Sequence, residues 1–361
     1  MVRGHALNTP YRNQYSMRTI GISHKTRYWQ HYCFNNPPEG HRYARMPDIP
    51  WHVAGIKWEF LANTKLFLPY PRPDLYHTYN GVVANAHPWV VEVESYLPRY
   101  QRMPRTHPLY RWALRRLAGK HCKAIIFTSH RTMGRNRPFL EAAGVDPAKM
   151  TVVYRAVEQF GHLGGDPSRF TILFAGNGFY RKGGVELLKA FRRMDRTDAR
   201  LVIISRLETD WGLCPLPEVK AWAEKTIAED PRITLHRQLP HDRVIEHMRA
   251  ADLFVGATYL DPFNNTVLEA MGAGLPVICS DAGALGEVVE HGRNGWVMHV
   301  NDKASDDVVD ELSALLVRMM DDPEGRRRMG RESHAIVQEK FSLDTRNGRL
   351  LKLYAQALAD H

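Results

Sequence analysis

From Arg169 onward, short strand-sized runs of β-branched and other apolar residues alternate with longer amphipathic segments. This alternation is typical of a parallel β-sheet covered by helices on both faces. The second half of the chain is therefore predicted to form a doubly wound, Rossmann-like domain. Its predicted strands are residues 170–174, 201–204, 233–235, 253–255, 276–278 and 295–298, and its predicted helices are residues 184–193, 218–228, 243–251, 266–273 and 285–291.

The chain is also longer than one hydrophobic core usually organises, since it has 361 residues, and this length favours two domains. Residues 161–168 are rich in Gly and Pro and form the predicted linker. Strands predicted over residues 18–22, 75–77, 89–93 and 124–128 favour an α/β domain in the first half as well. A ligand held between two such domains would lie in the cleft beyond the carboxyl ends of the strands.

Charge is divided unevenly along the chain. Up to Glu158 there are 23 Lys and Arg against nine Asp and Glu, whereas the remainder has 26 Lys and Arg against 30 Asp and Glu. The basic first half predicts an anionic partner for that half, and a lipid surface, a phosphorylated acceptor and a nucleic acid all fit this charge.

The apolar runs are far shorter than the roughly 20 residues that a membrane-spanning helix requires. Residues 1–15 are polar and basic and lack the apolar core of a secretory signal, so we expect a cytoplasmic protein. No C-x-x-C spacing occurs, so the four cysteines are expected to be free thiols rather than metal ligands or disulfides.

The stretch from Asp261 to Glu269, D-P-F-N-N-T-V-L-E, follows a predicted strand and combines a loop and a helix start with two carboxylates. The free amides and dipole of such a helix start favour an anion such as a diphosphate. Asn264, Asn265 and Thr266 can present donors there, and Glu269 can accept from two neighbouring hydroxyls such as those of a ribose. Asp261 would face a sugar across the loop. The alternative interpretation is that Asp261 and Asn264 simply cap the helix.

A second stretch, F-A-G-N-G-F-Y-R-K-G-G over residues 174–184, leads from a strand through a glycine-rich turn into a helix. Such a turn lets the backbone approach a phosphate closely, and Arg181 or Lys182 can neutralise the phosphate charge. The stretch matches neither the P-loop pattern nor G-x-G-x-x-G. The alternative interpretation is a basic loop that faces solvent.

Together these stretches resemble the retaining GT-B glycosyltransferases of family 4, also called glycosyl transferases group 1. The family's Glu-x7-Glu motif corresponds to Asp261-x7-Glu269, and its E-A-M-A-x-G-x-P-V-I-x-S-D run is almost intact over residues 269–281. Gly176 and Lys182 match its glycine-rich turn, and residues 283–287, 292–295 and 341–354 continue the similarity. The resemblance is specific from about Lys149 onward and faint before it.

The resemblance implies a GT-B fold with two Rossmann-like domains facing a cleft. An acceptor-binding domain would span residues 1–160 and a donor-binding domain residues 161–340. Residues 341–361 would form a helix that returns to the first domain. The donor would be a UDP- or GDP-linked sugar, with neither a cofactor nor a metal ion, and the chain contains no D-x-D tripeptide.

The resemblance also implies roles for individual residues. Lys182 would bind the donor diphosphate, Glu269 the ribose and Asp261 the sugar, while Phe263 to Thr266 would supply amides. Three positions depart from the family pattern. Asp261 is one methylene shorter than the usual Glu, Asn264 replaces a Gly, and Asn177 stands where an Arg is common, so that Arg181 would take over part of its charge.

On the acceptor side, Glu94 occupies the place where many relatives carry a His near the reaction centre. It is predicted to orient the acceptor or the sugar, or else to be an ordinary carboxylate at a strand end. His77 and Arg155 also fall on family positions, with His77 in a predicted strand and Arg155 in a turn that would face the cleft.

Residues 99–123 carry eight basic and no acidic side chains. Apolar residues recur beside them over residues 108–120, so this segment predicts either an interfacial helix at an anionic membrane or a helix whose apolar stripe faces the domain core.

The resemblance, together with the basic first half, therefore implies a retaining, metal-independent hexosyltransferase that acts on a glycan or lipid-linked acceptor at the inner membrane face. One alternative is a GT-B enzyme that glycosylates a nucleic acid or a small metabolite, although no nucleic-acid-binding signature is present. Another is a non-catalytic basic adaptor with a degenerate GT-B fold.

Overall fold

The structure is a computed structural model, and it describes residues 17–23, 32–47, 59–68, 72–100, 102–166, 168–209 and 214–359. Residues 1–15, for which no secretory signal is predicted, lie outside the described residues. Two six-stranded parallel sheets dominate the described part of the chain, one in each half.

The first sheet has the strand order β2-β1-β4-β6-β7-β8, and β3 pairs with β5 in a separate two-stranded sheet. The predicted strands lie within β1, β4, β6 and β7, apart from one residue at the end of the last. Polar β2, at the sheet edge, and short β8 were not predicted. The strands are β1 (Arg18–Ser23), β2 (His41–Met46), β3 (Thr64–Lys65), β4 (Leu75–Tyr79), β5 (Val82–Val83), β6 (Trp89–Val93), β7 (Cys122–Phe127) and β8 (Met150–Val152).

Helices cover this sheet, and its central strand β6 is fully buried from Trp89 to Val93. Burial on both faces explains why this strand is a continuous apolar run interrupted only by Glu92. The helices are α1 (Tyr32–Asn35), α2 (Glu59–Ala62), α3 (Pro108–Ala118) and α4 (His130–Ala142), followed by a 3₁₀ turn at Pro147–Lys149.

The second sheet has the order β11-β10-β9-β12-β13-β14, the Rossmann arrangement in which the chain leaves the two central strands in opposite directions. All six predicted strands are present, with shifts of one or two residues at some ends. They are β9 (Phe170–Ala175), β10 (Ala199–Ile204), β11 (Ile233–His236), β12 (Leu253–Gly256), β13 (Val277–Ser280) and β14 (Gly295–Met298).

The five helices predicted in this half are also present, and three further helices follow β14. The helices are α5 (Gly184–Arg193), α6 (Pro217–Glu229), α7 (His241–Arg249), α8 (Asn265–Gly272), α9 (Leu285–Val288), α10 (Ser305–Asp321), α11 (Pro323–Lys340) and α12 (Leu343–Ala359). The predicted helix over residues 285–291 ends early, at Val288.

Helix α12 leaves the second half and packs against the first sheet, as the resemblance implies. Leu350, Leu353 and Tyr354 share a buried cluster with Ile20 and Val90 of that sheet. The Arg346 guanidinium of α12 lies 2.6 Å from the Glu92 carboxylate of β6, and both side chains are about 1% exposed. The last helix is therefore part of the first domain's core.

Helix α3 does not offer an apolar stripe to a membrane. Ala113 and Leu117 are fully buried, and Leu109, Trp112 and Leu114 pack against the same core. The interpretation in which the stripe faces the domain core is therefore the correct one, and membrane insertion of this stripe is a wrong prediction.

No helix in the described ranges is both long enough and apolar enough to cross a bilayer.

Candidate functional site

The two stretches singled out in the sequence meet at the centre of the second sheet. The glycine-rich turn follows β9, and the Asp261 loop follows β12, and these two strands are neighbours. The chain turns in opposite directions after them, so the crevice beyond their carboxyl ends is the usual place for a ligand in this topology.

The side chains of the two loops are in contact. Lys182 Nζ lies 3.3 Å from Asp261 Oδ2 and 3.4 Å from Asn264 Oδ1, and Arg181 Nη1 lies 3.4 Å from the same Asp261 oxygen. The side chains of Lys182 and Asp261 are 11% and 10% exposed, and that of Arg181 is 4% exposed. Two cations therefore converge, largely shielded from water, on the start of α8.

Glycines allow this close approach. A Cβ atom on Gly183, where φ is +76°, would lie 2.2 Å from the Ala257 carbonyl oxygen, and one on Gly283, where φ is +62°, would lie 1.7 Å from that of Asp261. Neither position can hold a side chain without moving the backbone. Gly176 lies close by, since a Cβ there would be 3.2 Å from Lys182 Nζ.

The beginning of α8 is capped by its own residues. The Asn264 side chain accepts a hydrogen bond of 3.2 Å from the Thr266 amide, which is the capping role weighed from the sequence. Phe263 is 3% exposed and packs in the core, so its side chain supports the loop. Asn177, by contrast, is exposed to solvent.

Glu269 lies one turn further along α8 and is paired with a residue that the sequence analysis missed. His241 Nε2, at the start of α7, lies 3.1 Å from Glu269 Oε1. The hydrogen bond with Glu269 raises the pKa of His241, against the opposing effect of partial burial. Because this contact joins residues 28 positions apart on two helices, no local pattern indicates it.

Residues from both halves meet around Arg155. Its guanidinium donates to Asn265 Oδ1 at 2.8 Å and lies 3.6 Å from Glu94 Oε1, and it also donates to the Tyr79 hydroxyl. Two of the predicted acceptor-side residues, Glu94 and Arg155, are thereby brought next to a predicted donor-side residue. Tyr79 was missed by the sequence analysis, and its place at the carboxyl end of β4 is the signal that could have found it.

Asn80 follows Tyr79 at the carboxyl end of β4 and contacts Glu94. It adopts a left-handed conformation with φ of +54°, and its side-chain oxygen accepts from the Glu94 amide at 3.1 Å. Asn tolerates this backbone region better than most residues, and the Asn-Gly pair at Asn80 and Gly81 was an overlooked turn signal.

The prediction that His77 lies on the acceptor side is wrong. His77 is 1% exposed, its Nδ1 lies 2.7 Å from the Tyr354 hydroxyl, and its Nε2 lies 3.6 Å from Glu92. Burial lowers the pKa of His77, although Glu92 opposes this effect. The residue therefore helps to hold α12 against the first sheet and does not face the crevice.

Glu287 of α9 forms a further link between the halves. Its carboxylate accepts from the amides of His130 and Arg131, at 2.8 and 2.7 Å, and from the Tyr154 hydroxyl at 2.8 Å. The two amides belong to the N-terminus of α4, where a carboxylate is favoured.

Within the described ranges, no group of three or more His, Cys, Asp or Glu is placed to hold a metal ion. Metal independence stays a prediction.

Comparisons with known proteins agree with this arrangement. Residues 169–318 match the family model described as Glycosyl transferases group 1. The chain is 30% identical over 238 residues to a D-inositol 3-phosphate glycosyltransferase of Pseudarthrobacter chlorophenolicus, an alignment that covers 64% of this chain and 53% of that protein. The chain thus spans about half the length of the curated relatives it matches.

Solved structures share the two-domain fold. Sucrose-phosphate synthase from Thermosynechococcus elongatus aligns with a TM-score of 0.61 at 19% identity, over 80% of this chain and 75% of that one. Anabaena Alr3699/HepE in complex with UDP-glucose aligns with a TM-score of 0.61 at 14% identity, over 94% and 99%. At these identities the likeness establishes the fold alone.

Two facing Rossmann-like domains with a terminal helix that returns to the first define the GT-B class, and the described part of the chain has this fold. Residues 169–318, which contain the Lys182 and Asp261 loops, match the model of the Glycosyl transferases group 1 family. The predicted resemblance to this family is confirmed.

Proposed function

We propose that the protein is a retaining glycosyltransferase that moves a hexose from a UDP- or GDP-linked donor to a glycan or lipid-linked acceptor in polysaccharide or glycoconjugate synthesis. The observation that carries this proposal is the convergence of Lys182 and Arg181 on Asp261 and Asn264 at the start of α8. A diphosphate placed there would meet two cations and a helix N-terminus at once.

The proposed transfer reaction requires few other contributions from the protein. The bond between the sugar's anomeric carbon and the diphosphate oxygen breaks, and the acceptor oxygen bonds to that carbon on the same face. The acceptor's proton passes to the departing phosphate. Fixed positive charge aimed at the leaving diphosphate is then the main catalytic contribution, and Lys182 and Arg181 provide it without a metal ion or a cofactor.

Donor binding requires an exchange of partners, because Asp261 now neutralises both cations. When the diphosphate takes over Lys182 and Arg181, the Asp261 carboxylate is released to accept hydroxyls of the sugar. Glu269 would take the ribose hydroxyls in the same way, in exchange for His241. Asn265, Arg155 and Glu94 would then border the acceptor.

The test is donor hydrolysis across a panel of UDP- and GDP-sugars. We expect slow release of free sugar from one donor, and Lys182→Ala to lower kcat roughly 100- to 1,000-fold, since the loss of one preorganised charge typically has this effect. Lys189→Ala is the matched control, because Lys189 lies on α5, the helix that follows the same loop, but its side chain is 35% exposed and its ion pair with Asp306 is 3.9 Å long.

Equal activity of the two variants would contradict the assigned role of Lys182. If the wild-type protein released sugar from no donor in the panel, the non-catalytic adaptor would be the better interpretation.

A small-metabolite acceptor is the second candidate. It is favoured by the relatives, because a D-inositol 3-phosphate glycosyltransferase is among the proteins most similar to this chain. Transfer assays that pair the identified donor with inositol phosphate, with lipid-linked sugars and with oligosaccharides distinguish the two candidates.

Peripheral contact with an anionic membrane at the cytoplasmic face completes the proposal. With the apolar stripe of α3 in the core, this helix can contribute only charge to such a contact. Arg111 and Arg115 lie exposed on this helix and supply part of this charge.

A further inference from the structure

A cavity of about 660 Å³ lies at the edge of the second sheet that faces away from the cleft. Its lining includes Phe170, Asp198 and Asp252, which begin or directly precede β9, β10 and β12. Because these strands are parallel, their amino ends lie at the edge opposite the Lys182 and Asp261 loops. The volume falls within the range of roughly 300–1,000 Å³ that is typical of ligand sites, and the proposed sugar transfer does not use this cavity.

Helix α11 forms one wall of the cavity. Two pairs of its residues, one turn apart on the same face, belong to the lining, and they are Arg326, Arg327, Gly330 and Arg331. The helix packs closely there, since a Cβ atom on Gly330 would lie 2.3 Å from the Gly274 carbonyl oxygen. The tight contact at Gly330 therefore holds the arginines of this face at the cavity.

Several arginines of this cavity have no carboxylate partner. Within the described ranges, none of Arg169, Arg327 and Arg331 forms an ion pair. Arg326 is half-buried, and its guanidinium donates to two backbone carbonyls in the last turn of α10 and lies 4.7 Å from the centre of the Phe170 ring. These partners of Arg326 are neutral, so they fix its position without cancelling its charge.

The carboxylates of the cavity, by contrast, already have partners. Asp198 lies 3.1 Å from Arg196, and Asp166 accepts from the amide and the hydroxyl of Ser168. Asp252 accepts from a backbone amide of β9 through Oδ2 at 2.8 Å, and its Oδ1 has no hydrogen-bond partner among the described residues. Since five arginines and three aspartates line the cavity, it carries a net positive charge and offers one acceptor oxygen.

We infer that this cavity binds a small phosphorylated ligand, with its phosphate on the arginines of α11 and a hydroxyl group on Asp252. Arginine binds phosphate through paired hydrogen bonds, and a carboxylate oxygen accepts from a hydroxyl. A sugar phosphate carries both groups in one molecule. Through Arg169, which follows the linker, such a ligand would also join the linker to α11. This inference does not rest on the proposed sugar transfer.

Titration of glucose 6-phosphate, followed by ³¹P NMR, tests the inference. The wild type and Lys182→Ala are compared, because the second lacks the phosphate-binding cation of the cleft, and we expect equal affinity. Arg327→Gln should lower the affinity roughly tenfold, since it removes a charge-assisted hydrogen bond. Arg328→Gln is the matched control, because Arg328 is the next residue of the same helix and is exposed but does not line the cavity.

Three results would overturn the inference: no binding by the wild type, binding that is lost in Lys182→Ala, or equal affinities of the Arg327 and Arg328 variants. Inorganic phosphate and UMP form further arms of the titration. Phosphate binding as tight as that of the sugar phosphate, and dependent on Arg327, supports the arginine site and removes the contact with Asp252. Tighter binding of UMP, with the same dependence, overturns the sugar phosphate in favour of a nucleotide.

Amide hydrogen exchange locates the bound sugar phosphate. Exchange should slow in the peptides that contain Arg169 and Arg327 and stay unchanged in the peptide that contains Asp261. Slower exchange at Asp261 alone would place the ligand in the cleft and overturn the inference. Because no donor sugar is present, these results are independent of the donor hydrolysis assay.

Discussion

Gly283 shows how the absence of one side chain positions the Asp261 loop. Its backbone is in the left-handed region, and the Asp261 carbonyl occupies the space where a Cβ would lie. The chain at Gly283 can therefore pass directly behind Asp261, whose side chain contacts Lys182. The sequence marked Gly283 as part of a family motif, but the reason for the glycine is a contact across 22 positions.

We expect Gly283→Ala to lower the free energy of unfolding by about 1–3 kcal/mol, because the new methyl group must displace the Asp261 backbone and the residue is strained at positive φ. The same displacement should weaken nucleotide binding. Urea unfolding and titration with UDP and GDP measure the two effects. Gly286→Ala is the matched control, since a Cβ there meets nothing within 4 Å. Equal changes in unfolding free energy and in nucleotide affinity for the two variants would mean that neither property depends on the close approach at Gly283.

At the residue scale, the sequence identified the ionic centre but not its surroundings. Lys182, Asp261 and Asn264 lie in two motifs that contain their own turn and helix-start signals, so their roles could be predicted locally. His241 and Tyr79 reach the site from other elements through side-chain contacts. Such contacts depend on the packed fold, and a single sequence does not encode them as a pattern.

At the scale of elements, strands with continuous β-branched runs could be predicted from the sequence, whereas the edge strands of the first sheet could not. β2 reads H-R-Y-A-R-M and is mostly exposed or half-buried, because it pairs with a neighbour on one side only. Helix α3 posed a different problem. An amphipathic helix has the same periodicity whether its stripe meets a core or a membrane, so only the packing could decide between them.

The docking of α12 on the first sheet depends on a buried ion pair. Burial alone would raise the pKa of Glu92, but Arg346 and His77 lower it to about 2. Glu92 therefore stabilises the wild-type protein above pH 4.5, and this contribution is lost as the pH falls towards 2.

We expect Arg346→Met to lower the free energy of unfolding at neutral pH by about 3–5 kcal/mol, because it leaves the Glu92 charge buried without its partner. Without Arg346, burial should raise the pKa of Glu92 above its ordinary value, so the variant should lose stability as the pH rises, the reverse of the wild-type slope. Urea unfolding at several pH values measures both. Lys352→Gln, exposed on the same helix, is the control. If the stability of Arg346→Met changed with pH as that of the wild type does, the pKa of Glu92 would not depend on Arg346.

At the scale of the whole molecule, the two domains are joined by polar contacts across the cleft as well as by α12. Arg155 connects Glu94 and Tyr79 of the first half to Asn265 of the second, and Glu287 caps α4 from the opposite side. The chain length and the strand pattern predicted the two domains, and the family resemblance predicted the returning helix. Nothing in the sequence indicated the Glu287 contact, because a helix N-terminus accepts a carboxylate from any element that reaches it.

We expect Glu287→Ala to open the cleft, since it removes three hydrogen bonds that join the halves. Small-angle X-ray scattering should show a larger radius of gyration than in the wild type. Glu290→Ala is the matched control, because Glu290 pairs with Arg293 and Lys340 within the second half and α11. An equal radius for the two variants would mean that Glu287 does not hold the cleft closed.

The return of α12 also affects the order in which the polypeptide can fold during synthesis. Ile20, Val90 and Ala124 belong to the first domain, yet they are covered by side chains that follow the entire second domain along the chain. A ribosome that has completed the first sheet must therefore translate the second domain as well before that apolar surface can be sealed. Until then a growing chain exposes the kind of surface on which chaperones act.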